Sequence, residues 1–245
     1  MFYITVPKCV FCKEILDYTD RCFCPECKKQ YDEWKQARNC SRCAKIYCNC
    51  TCTSALLAEN SINTVYKLYR YKAIDEVNPS KKVIFALKED NRRDVIEFLA
   101  DEVCDTITSS GLKIDKERMF VTNVPRRKKA ILKFGYDHAA ELAKAIAKRL
   151  DIEYVSLFVS LAKRAQKQLS PGERKKQIKF RLKRGDFTHL KGKSAFIVDD
   201  IITSGSSMAS ASNLLKQLGV RNRMAACIGI AYKDIDEKRK FSSLL

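Results

Sequence analysis

Residues 194–219 read SAFIVDDIITSGSSMASASNLLKQLG. The apolar run 194–198 predicts a strand buried on both faces, and the stretch from Ser206 to Gly219 predicts a helix that stops at the glycine. Between them lie two acids, Asp199 and Asp200, and a hydroxyl-rich turn, Thr203, Ser204, Gly205, Ser206 and Ser207. The first N–H groups of a helix have no intrahelical partner and carry the positive end of the helix dipole, so this turn is suited to phosphate. Gly205 lets the backbone approach closely, and the hydroxyls add donors. Carboxylates repel phosphate unless something lies between them. Two acids beside a phosphate cradle therefore suit a sugar phosphate, with the acids accepting from ribose hydroxyls and the turn holding the 5′-phosphate of a ribose 5-phosphate unit.

The same alternation extends outward from this stretch. Segment 81–88 (KKVIFALK) reads as a strand and the next twenty residues as a helix with Val95, Phe98, Leu99, Val103, Thr106 and Ile107 on one face. Strand patterns return at 119–124, 154–159 and 224–232, with a helix over 137–150 between the first two. Alternation of this kind predicts an α/β fold, a mostly parallel sheet flanked by helices, with its ligand at the carboxyl ends of the strands. Neither GxxxxGK[ST] nor GxGxxG occurs, and His138 and His189 form no metal or triad signature.

Ten of the twelve cysteines lie within residues 1–52. They fall as Cys9-x2-Cys12, Cys24-x2-Cys27, Cys40-x2-Cys43 and the crowded Cys48, Cys50 and Cys52. Each two-residue gap aims two thiolates at one ion, and two such knuckles complete a tetrahedral site. Sequential pairing gives two structural zinc ions, one on Cys9, Cys12, Cys24 and Cys27, the other on Cys40, Cys43, Cys48 and Cys50. Interleaved pairing uses the same ligands, and Cys22 and Cys52 stand as substitutes. All-cysteine ligation leaves no open position for water, so the metal folds a segment with little core of its own. Cys104 and Cys227 read as small buried apolar residues. The chain divides into a double zinc-binding module, 1–54, and an α/β domain, 55–245.

The formal net charge is +18, which favours an anionic partner. Half of it falls within 161–184, where ten basic residues stand against Glu173 alone for a net +9. Lys163, Arg164, Arg174, Lys175 and Lys176 lie there around a Ser-Pro-Gly turn, in what reads as a basic flap beside the ligand site. Such a flap closes over a phosphorylated ligand or grips the backbone of single-stranded DNA. No apolar stretch approaches the roughly 18 residues of a spanning helix, and the first nine residues do not form a signal-peptide core. A cytoplasmic protein without membrane insertion is the expectation.

AFIVDDIITSGSS, 195–207, resembles the phosphoribosyl pyrophosphate (PRPP) loop of type I phosphoribosyltransferases. With a multi-cysteine module ahead of it, the chain resembles the ComF family (ComFC-like) of competence proteins. NVPRRKKAILKFGYDHAAELAKAIAKRL and KRAQKQLSPGERKKQIKF carry the resemblance across nearly the whole chain. Tyr136, Asp137 and His138 stand where that family usually has Phe, Asn and Gln, Gln177 replaces Asn, and Ser204 and Ser207 replace threonines. The resemblance implies PRPP bound with Mg²⁺. Asp199 and Asp200 then hold the ribose hydroxyls, 203–207 the 5′-phosphate, and Arg126 and Arg127, after the strand at 119–124, the pyrophosphate. It also implies a role in DNA uptake and natural transformation, with incoming single strands and a competence helicase as partners. An active phosphoribosyltransferase acting on a base or amine is the alternative, and no acceptor pocket is legible.

Overall fold

A computed structural model of the chain describes residues 6–37, 39–71, 79–88, 92–126, 131–132, 135–161 and 180–231. Its centre is a five-stranded sheet in the order β1 (Ile62–Arg70), β7 (Asn222–Ile230), β6 (Ser194–Ile202), β2 (Met119–Asn123) and β3 (Glu153–Tyr154). Every neighbouring pair in it is parallel. Parallel strands covered on both faces need continuous apolar runs, and residues 195–198 of β6 are completely buried. One face packs under α3 (Pro79–Lys88), α4 (Arg93–Thr108) and α5 (His138–Leu150). The other packs under α2 (Ala55–Glu59) and α6 (Ser206–Gln217), together with the antiparallel pair β4 (Phe158–Ser160) and β5 (Phe180–Leu182). None of the described helices is long and apolar enough to cross a membrane.

Two expectations are corrected. Segment 81–88 is helical, as the C-terminal part of α3, because Val83, Ile84, Ala86 and Leu87 form one buried helical face while Phe85 is exposed. A strand would have placed Ile84 and Phe85 on opposite faces and split Ile84 from Val83. A short apolar run fits either period, and here the i, i+3, i+4 set decides. Segment 154–159 is two strands. After Tyr154 the chain keeps one bond to β2, Val155 N to Val121 O at 2.8 Å, then leaves the sheet to pair with β5. Strand β1 was not foreseen. Its odd member is Lys67, a lysine exposed by only 2%.

Helix α1 (Pro25–Gln36) belongs to the cysteine-rich segment, and its packing joins that segment to the sheet. Phe23 and Tyr31 meet Phe98 of α4 edge-on, at ring centroids of 5.3 and 5.6 Å, and Trp34 meets Tyr69 of β1 at 4.8 Å. A poorly exposed ion pair, Lys35 to Glu102, borders this contact. Edge-to-face pairs of this kind add about 0.5–1.5 kcal/mol each beyond area burial. One apolar core therefore runs from the cysteine-rich segment into the α4 face of the sheet.

Candidate functional site

Strands β2 and β6 are adjacent, yet their crossovers diverge. After β2 the chain forms α5 on one face and returns at β3; after β6 it forms α6 on the opposite face and returns at β7. A sheet opens a crevice where neighbouring connections part in this way. The ladder between β2 and β6 ends at Asn123 opposite Val198, followed by one bond from Val124 N to Val198 O at 2.9 Å. Strand β6 continues to Ile202 with β7 alone. Asp199 and Asp200 thus lie within the last part of the strand, not beyond its end, where among the described residues β2 no longer pairs with β6.

The turn that follows is shaped by Gly205, at φ +76°, which precedes the first residue of α6. A Cβ there would lie 3.1 Å from the Leu57 side chain, so glycine suits both the left-handed backbone and the close approach to α2. Thr203 and Ser204 are exposed. Ser204 Oγ lies 2.9 Å from Ser206 Oγ and accepts from Ser206 N at 3.4 Å.

On the α3 face, Lys88 Nζ lies 2.6 Å from Asp200 Oδ2. Lys88 is the last residue of α3, and the end of that helix is fixed by residues just before α5. Tyr136 OH donates to Leu87 O at 2.6 Å, and His138 Nε2 lies 3.0 Å from Lys88 O. His138 Nδ1 in turn meets the Arg126 guanidinium. Asp137 caps α5 through Ala140 N at 3.2 Å and accepts from Arg126 N at 3.1 Å. Tyr136, Asp137 and His138 therefore position the lysine and the arginine at the crevice.

The two acids are shifted in opposite directions. Burial pushes the Asp199 carboxyl well above the ordinary carboxylate range, and the adjacent Asp200 charge adds to this. Burial acts the same way on Asp200, but the Lys88 ammonium outweighs it and holds that carboxyl low. Adjacent carboxyls whose environments push them apart in this way ionise at different pH, Asp200 before Asp199. His138 is neutral, lowered to about 4 by burial and by the Arg126 charge.

A second concentration of donor atoms lies in the cysteine-rich segment. Cys9, Cys12, Cys24 and Cys27 form one group and Cys40, Cys43, Cys50 and Cys52 another, with all sulfurs of a group within 4.8 Å of one another. Cys12 Sγ and Cys24 Sγ are 3.7 Å apart, close to the edge of about 3.8 Å that a tetrahedron with 2.3 Å metal–sulfur bonds requires. Each group can hold one ion. The knuckles repeat one backbone design: Lys13 N bonds Cys9 O and Cys9 N bonds Glu14 O, as Ala44 N bonds Cys40 O and Cys40 N bonds Lys45 O. Lys13 and Ala44 share a left-handed φ, 68° and 60°. Burial raises the Cys9 and Cys40 thiols, but backbone N–H groups aimed at each sulfur prevail and bring both to about 7.

Cys52, expected only as a substitute, completes the second group in place of Cys48. The 3-10 turn Tyr47–Asn49 carries Cys48 away, toward the charges of Lys35 and Glu102. Cys22 is 1% exposed and packs in the core. Cys104 and Cys227 are buried. Arg126 is among the described residues; Arg127, Lys163, Arg164, Arg174, Lys175 and Lys176 lie outside them. Lys88 and Lys67 were missed by the sequence reading, which had no local signal for them beyond a lysine inside an apolar strand pattern, and Tyr136 stood out in it only as a departure from the resembled pattern, with no role assigned.

Residues 137–240 match the phosphoribosyl transferase domain family. A curated relative, Competence protein F of Haemophilus influenzae, is 24% identical over 223 residues, covering 87% of this chain and 92% of that protein. Among solved structures, a hypoxanthine phosphoribosyltransferase from Staphylococcus aureus is 13% identical with a TM-score of 0.37, covering 57% of this chain and 67% of its own. Adenine phosphoribosyltransferase from Saccharomyces cerevisiae is 17% identical with a TM-score of 0.36, covering 62% and 76%. The chain is thus similar in sequence to Competence protein F, matches the phosphoribosyl transferase domain over residues 137–240, and carries two cysteine groups that can hold metal.

Proposed function

We propose that the crevice between β2 and β6 binds PRPP, or another ligand built on ribose 5-phosphate, together with Mg²⁺. The observation that carries this is the 199–207 segment: two adjacent acids at the end of β6, one held by Lys88, followed by a glycine turn at a helix start, at the point where the crossovers part. In this reading Asp199 and Asp200 accept from the ribose hydroxyls, Thr203 to Ser207 hold the 5′-phosphate, and Arg126 and Arg127 meet the pyrophosphate. Lys88 balances Asp200 until the ligand arrives. Mg²⁺ supplies charge neutralisation on the pyrophosphate. The ions in the cysteine groups are zinc and structural, the chemistry that four thiolates select.

The biological role we assign is DNA uptake in natural transformation, in the cytoplasm, with single-stranded DNA and a competence helicase as partners. Support comes from the similarity to Competence protein F and from the +9 stretch at 161–184, which includes Lys163, Arg164, Arg174, Lys175 and Lys176. Binding of labelled single strands should weaken steeply with salt, because each neutralised phosphate releases a counterion; a flat response contradicts the DNA role.

A transferase reaction is the second reading, favoured by the match to the phosphoribosyl transferase domain. A nitrogen nucleophile would attack the anomeric carbon, the C–O bond to pyrophosphate would break, and positioning with charge stabilisation would carry the catalysis. Incubation with Mg²⁺, PRPP and a panel of nucleobases separates the two. Pyrophosphate release that depends on one base makes the chain an enzyme; tight PRPP binding without release makes it a ligand-binding scaffold; absence of binding to both PRPP and ribose 5-phosphate refutes both.

A further inference from the structure

The side chain of Lys67 is an almost fully enclosed cation, 2% exposed in the middle of β1. Its ammonium donates to three carbonyl oxygens, Cys50 at 2.5 Å, Cys52 at 3.1 Å and Val65 at 3.2 Å. These bonds use all three of its donors. No carboxylate among the described residues pairs with it. A buried charge without a counter-charge is costly, on the order of several kcal/mol, so the sheet should not keep one unless an anion lies nearby. Two of the three carbonyls belong to members of the second cysteine group. Four thiolates around one divalent cation carry a net charge of −2, and that is the anion the ammonium lacks.

We propose that Lys67 is the counter-ion and positioning residue of the second metal centre, formed by Cys40, Cys43, Cys50 and Cys52. By gripping the carbonyls on either side of Thr51 it fixes the Cys50–Cys52 arm, whose own Cys52 N–H points to Cys50 Sγ at 3.4 Å. It also ties the centre to the sheet, since Lys67 stands beside Cys227 of β7, and Cys227 beside Asp199 of β6, in one row. The first centre has a different support, the aromatic cluster of Phe11, Phe23 and Tyr31, so the effect of Lys67 is confined to the second. The inference rests on the metal reading of both groups.

The test uses the full chain loaded with zinc, a chromogenic chelator to follow release, and alkylation with mass spectrometry to identify which cysteines become free. Wild type should release two equivalents. Lys67→Met should release the second-centre ion at least about tenfold faster, the range typical when a residue supporting metal ligands is lost, with Cys40, Cys43, Cys50 and Cys52 alkylated first. Lys67→Arg should restore slow release. Lys67→Gln keeps an amide donor and loses the charge, and it decides the matter if the methionine variant fails to fold. Wild-type release from Lys67→Gln, or acceleration at both centres alike, overturns the proposal. A wild-type chain that binds no zinc overturns the metal reading instead.

Discussion

The cysteine segment and the β6 crevice both gather donor atoms, and they differ in the direction these atoms face. In the cysteine segment the thiols of each group turn inward on one another, and backbone N–H groups and Lys67 support them from outside. In the crevice, Asp199 and Asp200 lie where β6 runs on past the end of its ladder with β2, and the 203–207 turn follows them. A closed donor set holds something permanently and stabilises a fold; an open set at a switch point receives something that leaves. The two also differ in charge control. Backbone N–H groups bring Cys9 and Cys40 down toward ionisation, whereas burial drives Asp199 up, away from it.

The largest effect that would break this contrast is loss of metal. Structural zinc contributes apparent binding energies of about 10–16 kcal/mol in small zinc domains. Cys52→Ser should therefore lose one of two zinc equivalents by elemental analysis and open the 40–52 region to protease. Cys48→Ser should keep both ions, and the reverse result would restore the sequential ligand set.

Next in size is the joint between the two regions. Phe98→Ala removes the ring on which Phe23 and Tyr31 pack, and should cost about 3–5 kcal/mol in denaturant unfolding. A loss below about 1 kcal/mol would mean that the shared aromatic core contributes little.

Smaller is the strain of the turn. Gly205→Ala places a Cβ at φ +76° and 3.1 Å from Leu57, and should cost about 1–2 kcal/mol by the same unfolding measurement. An unchanged midpoint would show that the turn relaxes freely.

The smallest effect has the opposite sign. Because the folded-state pKa of Asp199 is raised above its unfolded value, its contribution is fully present below the unfolded value, about 3.9, and is lost as pH rises through the folded one. Asp199→Asn lacks that penalty, so at neutral pH it should melt about 2–4 °C higher than wild type. The gain should vanish on acidification toward pH 4. A variant that melts lower at neutral pH would show that Asp199 is ionised and satisfied without ligand.

The sequence made the local parts readable. β6 with its turn, the helix ending near Gly219 and the paired cysteines are each written within a dozen residues or so, in patterns of period and spacing. What it hid depends on contacts between distant positions. Segment 81–88 fits a strand or a helix, and only burial against α4 and the sheet chooses the helix that brings Lys88 to Asp200. Cys48 and Cys52 are equally spaced from Cys50, and the 3-10 turn at 47–49 alone separates ligand from bystander. The acids were placed beyond the strand, whereas pairing with β7 carries the ladder past them to Ile202.

The central claim is that the β6 segment is a ribose phosphate site, and calorimetric titration of PRPP with Mg²⁺ tests it most directly. Wild type should bind one equivalent, while Asp199→Asn combined with Asp200→Asn should lower affinity at least about a hundredfold, a loss of about 2.7 kcal/mol, with its zinc content unchanged. Equal affinity in the two proteins would contradict the assignment.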